Sequence, residues 1–235
     1  MFTVHPRVKR AAGLHILYLH GGAFVFAITP QHWRFIARLI QRLGCSVTVP
    51  LYPLAPEHTC REVFDFLLPL ASELLTENRQ TVFMGDSAGG GMALALSQQL
   101  HAAGLSLPAR LALISPALDL TLSDPRQPEI ARVDPLLDIP GSRAAGTWYT
   151  GDLPLTDPRV SPLYGELQGL APIAVWTGTH DLLYPDAVCL KSKADQAGAS
   201  VSLFEYDRMF HVWSLLRLPE GKAALEQIVA FVQES

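Results

Sequence analysis

Thr81-Val82-Phe83-Met84-Gly85-Asp86-Ser87-Ala88-Gly89-Gly90-Gly91-Met92 is the stretch whose reading decides the fold. Its first four residues form a short apolar run, and from Ala88 to about residue 103 small residues and leucines continue with helical character. A strand, a tight turn and a helix therefore meet at Ser87. Glycines at 85 and 89 let the neighbouring backbone pass close, so the serine is raised on a sharp turn with its Oγ above the sheet edge. The helix that starts just after it aims unpaired N–H groups and the positive end of its dipole at the same point. That context makes Ser87 a candidate nucleophile; without it, the same five residues would read as a Gly-rich turn. Asp86 is too near Ser87 to orient a base and is expected to brace the turn.

Working outward, residues 14–19, 46–49, 110–114, 173–177 and 201–206 read as further strands. Residues 31–43, stopped by Gly44, and residues 61–75 and 223–232 read as helices. Short apolar runs alternating with helical ones predict an α/β chain, a mostly parallel twisted sheet with helices on both faces. Residues 116–171 lack clear periodicity and carry prolines at 125, 128, 135, 140, 154, 158 and 162. A few short helices are expected there, over the carboxyl ends of the strands, where open α/β sheets bind ligands. Residues 1–235 are expected to form one domain.

Composition removes several other classes. With 49% hydrophobic and 17% charged residues the chain is neither disordered nor a coiled coil. The mean hydropathy is slightly positive, but the longest apolar runs, such as residues 23–28, fall far short of the ~18 residues a spanning helix needs. No membrane or nucleic-acid partner is expected: the net charge is −4, and the basic stretch at residues 5–10 is short. The three cysteines, Cys45, Cys60 and Cys189, show no metal-type spacing and read as free thiols. The apolar segment from Ala11 runs straight into His20-Gly21-Gly22 without a cleavage site, so a cytoplasmic location is expected.

The run His20-Gly21-Gly22-Ala23-Phe24 follows the strand at 14–19. Acyl transfer places negative charge on a carbonyl oxygen, and backbone N–H groups aimed at that oxygen lower the barrier. Gly21, Gly22 and Ala88 are the candidate donors, and His20 is expected to hold this loop in shape through a hydrogen bond. A serine hydroxyl also needs a base, and the base needs a carboxylate to orient it. Asp181 follows the strand at 173–177 and His211 the strand at 201–206, both on the edge where Ser87 emerges. Asp186 is the runner-up for the acid and His180 a weaker competitor for the base. His5, His15, His32 and His58 precede the serine and read as surface or structural, and Asp119 and Asp134 as turn or capping residues.

With these residues assembled, the chain resembles the hormone-sensitive-lipase-like esterases of the α/β-hydrolase fold. The resemblance runs from about Leu14 to the C-terminus. It rests on His20-Gly21-Gly22, Tyr52-Pro53-Leu54-Ala55-Pro56-Glu57-His58, Gly85-Asp86-Ser87-Ala88-Gly89-Gly90, Ser161-Pro162-Leu163, Gly178-Thr179-His180-Asp181 and His211. The GDSAG form matches one of the family's two main branches. The resemblance implies a serine carboxylesterase with the triad Ser87, Asp181 and His211. It also implies an oxyanion hole on the two-glycine motif, short-chain acyl esters as small-molecule substrates, and no cofactor or metal. Only 19 residues precede His20, so the sheet is expected to lack one or two of the family's eight strands and the cap to be small. Asp181-Leu182-Leu183 stands where the family often has Asp-Pro-Leu, and Ala23 where it often has a third glycine. A homodimer is an expectation by analogy only. Phe24, Trp148, Tyr149 and Trp213, with Phe26 and Tyr164, are candidate pocket walls, each weighed against ordinary core packing. An amidase or peptidase, a thioesterase, and a binding protein on a hydrolase scaffold are the competing readings.

Overall fold

The computed structural model describes residues 1–8, 13–77 and 80–234. Lys9 and Arg10 of the basic stretch, and Ala11 at the head of the first apolar segment, lie outside them. Seven strands form one sheet: β1 (Phe2–Val4), β2 (Leu14–Leu19), β3 (Ser46–Val49), β4 (Gln80–Asp86), β5 (Arg110–Ile114), β6 (Ile173–Gly178) and β7 (Val201–Tyr206). Their order is β1-β3-β2-β4-β5-β6-β7. All neighbours from β3 to β7 run parallel, and only β1 is antiparallel, setting Phe2 against Val49. The five predicted strands beside the serine, and the one that leads to it, are all present. At three residues β1 is too short to leave a periodic signal, and it went unpredicted.

The central strands read as unbroken apolar runs because both faces of the sheet are covered. In β2, Leu17 and Leu19 pack into one core, while Ile16 and Tyr18 pack into the other. The first core lies under α2 (Cys60–Glu77), α3 (Ala88–Ala102) and α6 (Tyr184–Ala197). The second lies under α1 (Pro30–Leu43) and α7 (Pro219–Gln233). Helix α1 presents Phe35, Ile36, Leu39, Ile40 and Leu43 to the sheet and ends at Gly44, whose φ of 63° closes the last turn. Helix α6 was not predicted: its buried Ala187, Leu190 and Ala194 are a thin apolar stripe among lysines and polar residues.

The proline-rich section holds α4 (Gln127–Ile130), α5 (Ile139–Thr150) and a single 3₁₀ turn at Pro162–Tyr164. At twelve residues α5 is longer than expected. Its Gly, Thr and Ser content weakens the helical signal, and capping by Asp138, which accepts the Gly141 N–H at 2.6 Å, helps set its start. No helix among the described residues is long and apolar enough to cross a membrane.

Helix α3 can lie against β2 only because residue 89 has no side chain. A Cβ at Gly89 would overlap the Leu19 carbonyl oxygen, and that backbone is pinned between β3 and β4. Gly89→Ala is therefore expected to cost about 2–3 kcal/mol. An unchanged urea midpoint would contradict this account of the α3–β2 approach.

Candidate active site

Ser87 stands at the junction of β4 and α3 with φ 52° and ψ −122°, a conformation that side chains rarely adopt. Backbone hydrogen bonds hold it there. Its N–H donates to Ile114 O at 2.8 Å, and its carbonyl accepts from Gly91 N (3.1 Å) and Ala117 N (3.0 Å). Ser87 Oγ lies 2.8 Å from His211 Nε2. His211 Nδ1 lies 3.0 and 3.1 Å from the two carboxylate oxygens of Asp181. An Nδ1–H donated to the carboxylate leaves Nε2 as acceptor, the tautomer that can take a proton from Ser87. Burial by itself would push the His211 imidazolium down, but the charge and hydrogen bond of Asp181, with the charges of Asp134 and Asp86, together outweigh it and hold its pKa above the ordinary value of 6.5.

Backbone bonds stitch the acid loop to the histidine loop. Thr179 N donates to Tyr206 O and His180 N to Met209 O, both at 3.0 Å. Asp181 Oδ1 also accepts Leu183 N–H at 2.9 Å, and Asp134 Oδ2 accepts Leu182 N–H at 2.8 Å. Asp134 thus ties the section over the sheet to the acid loop, more than the turn residue expected, while Asp119 accepts Thr121 N–H and the Tyr164 hydroxyl. Asp186 does not reach the imidazole. It is buried in the first turn of α6 beside the Gln127 amide, 3.5 Å away. Burial first, then the charges of Asp119, Asp124 and Asp181, push its carboxyl well above the usual range.

Asp86 braces the turn, and more. Its carboxylate accepts the Tyr18 hydroxyl at 2.6 Å and His32 Nε2 at 3.0 Å. Burial would raise its pKa, but His32, Tyr18 and the Gly21 N–H together hold it below the usual carboxylate value. His32 Nδ1 accepts Thr29 N–H at 3.0 Å, which leaves the ring proton on Nε2 for Asp86. Reading His32 as structural is correct as far as it goes, but its link to the site was missed. The available signal was Thr29-Pro30-Gln31-His32, a helix start with a ring nitrogen free to reach back.

The two-glycine loop is held from two sides. His20 Nδ1 lies 2.8 Å from Gly21 O, and the Tyr52 hydroxyl donates to His20 O at 2.6 Å, so His20 does hold the loop. This loop passes directly against the Asp86 carboxylate. A Cβ at Gly21 would overlap that carboxylate. Gly22 lines the cavity at Ser87, and Ala88 supplies the first N–H of α3.

That cavity holds about 550 Å³ and is walled by Phe26, Leu136, Leu137, Phe210, Val212 and Leu216, among others. None of Phe24, Trp148, Tyr149 and Trp213 lines it, which corrects those four expectations. Positive φ at Ala23 and Phe24 (52° and 66°) turns the Phe24 ring inward, where it stacks on Tyr149 at 3.9 Å. Phe26 is left outside, 67% exposed at the cavity mouth. Trp213 is buried against Tyr206 in the core under α1 and α7. Trp148 faces solvent on α5. Tyr164 binds Asp119 instead.

The family model for the alpha/beta hydrolase fold matches residues 16–215. A protein named Esterase from Acinetobacter venetianus is 35% identical over 235 residues, covering 96% of this chain and 76% of that protein. An Acetyl-hydrolase from Streptomyces hygroscopicus is 32% identical, covering 97% and 78%. Among solved structures, an esterase/lipase from an uncultured bacterium superposes with a TM-score of 0.91 at 30% identity, covering 98% and 79%. A hormone-sensitive lipase from a metagenome library gives 0.90 at 28% identity, covering 94% and 78%. The strand–turn–helix at Ser87, the parallel sheet that carries it and these likenesses agree: the chain belongs to the hormone-sensitive-lipase-like esterases of the α/β-hydrolase family.

Proposed function

We propose that this esterase hydrolyses short-chain acyl esters in two steps through Ser87, His211 and Asp181. The observation that carries the reading is the continuous hydrogen-bonded line from Ser87 Oγ through the His211 ring to Asp181. Ser87 Oγ attacks the ester carbonyl while its proton passes to His211 Nε2. The carbonyl oxygen becomes an oxyanion on the N–H groups of Gly21, Gly22 and Ala88. His211 then protonates the leaving alkoxide, and the acyl group stays on Ser87. A water, deprotonated by the same nitrogen, attacks the acyl-enzyme and releases the acid and free Ser87.

Support for a short acyl group comes from the cavity and from a relative. About 550 Å³ must hold both halves of the ester beside Phe26 and Leu136, and one relative is named an acetyl-hydrolase. The test is a series of p-nitrophenyl esters from acetate to decanoate, with a matched anilide and an acyl-CoA beside it. The highest kcat/KM is expected between acetate and hexanoate. A maximum at decanoate would overturn the acyl-length reading, and faster turnover of the anilide or the thioester would overturn the ester reading.

His211 must be neutral to take the serine proton, and its folded pKa lies above 6.5. Activity is therefore expected to fall as pH drops through that raised value, and to be complete above it. A kcat/KM profile that stays flat down to pH 4 would remove His211 from the base role.

A further inference from the structure

A second cavity adjoins the first. It holds about 400 Å³ and is lined by Gln31, Arg34, Arg38, Leu215, Leu216 and Arg217. Gln31, Leu215 and Leu216 also wall the cavity that contains Ser87 and His211, so the two cavities share a wall. Arg34 and Arg38 lie one turn apart on α1, and Arg217 closes the segment that follows the histidine loop.

Charge in this cavity is one-sided. Among the described residues none of these three guanidiniums pairs with a carboxylate, whereas Arg42, one turn further along α1, is paired with Glu226. Arg38 donates one nitrogen to Leu215 O at 2.6 Å, and its buried Nε has no acceptor. Burial, then the neighbouring charge of Arg217, disfavours its charged form. The chain as a whole is acidic, with a net charge of −4, so the cluster does not reflect a generally basic surface. Arg34 and Arg217 are exposed to an incoming ligand, and a guanidinium fork matches the geometry of a carboxylate or a phosphate.

We propose that this cavity is an anion subsite of the active site, and that the ester cleaved at Ser87 carries a carboxylate or phosphate held by Arg34, Arg38 and Arg217. The inference rests on the esterase reading above. The reaction is unchanged: the acyl C–O bond breaks, water supplies OH to the acid and H to the alcohol, and the anionic group is only a handle.

Three acetates of one phenol framework test it: methyl 4-acetoxybenzoate, 4-acetoxybenzoate and 4-acetoxyphenyl phosphate. Either anionic ester is expected to exceed the neutral one in kcat/KM by about tenfold at low salt, mainly through KM, with the preference shrinking as sodium chloride is added. The anion that gains more identifies the group. In the double variant Arg34→Gln, Arg217→Gln the anionic-to-neutral ratio is expected to fall toward one. Reading the ratio within each protein cancels any general loss of folded enzyme. A ratio at or below one in the parent, or an equal ratio in parent and variant, overturns the subsite. Failure of the parent to hydrolyse even the neutral acetate would instead count against the esterase reading.

Discussion

Ser87→Ala is expected to lower kcat for a p-nitrophenyl ester by about 10⁴- to 10⁶-fold, the scale on which nucleophile removal acts in serine hydrolases. The fold should survive. The bonds that hold residue 87 in place run through its backbone, to Ile114 O and from Gly91 N and Ala117 N. The hydroxyl itself touches His211 Nε2, and alanine at φ 52° is strained no more than serine was. Purified variant should thus show the parent's circular dichroism and melting temperature, and a fluorophosphonate probe should no longer add to the protein. Activity within tenfold of the parent, with the fold intact, would mean that another group makes the bond to the acyl carbon.

The second large effect is expected at the acid. Asp181→Asn should reduce kcat by about 10³- to 10⁴-fold. The asparagine Oδ1 can keep the Leu183 N–H that Asp181 Oδ1 accepts now, so the loop need not move. Its NH₂ would then face His211 Nδ1 as a donor and drive the ring proton to Nε2. That nitrogen could no longer accept from Ser87. The carboxylate charge and hydrogen bond that do most to raise the His211 pKa would also be gone, leaving burial opposed only by the smaller influence of Asp134 and Asp86. The residual activity should therefore show its acid limb at lower pH than the parent. A normal kcat, or an acid limb that does not shift, would assign the orienting role elsewhere, with Asp186 as the first candidate to substitute.

How far the site was legible differs residue by residue. Ser87, Asp181 and His211 could be read because each follows a strand whose apolar run is plain in the sequence, and strand ends share one edge of a parallel sheet. The loop motif at His20 was readable as a motif, but what the loop packs against was not. Gly21 packs against the carboxylate of Asp86, 65 positions away. The aromatic walls were misplaced for a related reason. Proximity along the chain to a motif says little about which side of a loop a ring takes, and positive φ at two successive residues reversed Phe24. The true walls, Leu136 and Leu137, sit in the proline-rich section, where no periodicity announced them.

By itself, then, the order of apolar runs, glycines and turn residues determined that this chain builds a parallel sheet with a serine raised on its central turn. These are local rules, obeyed within a few residues of each position. Only the tertiary structure decided which carboxylate meets the imidazole, that Asp86 lies against the two-glycine loop, and that three arginines line a cavity beside the active-site one. Those outcomes depend on distances of a few ångströms between segments far apart in the chain, set by the packing of whole helices against both faces of the sheet.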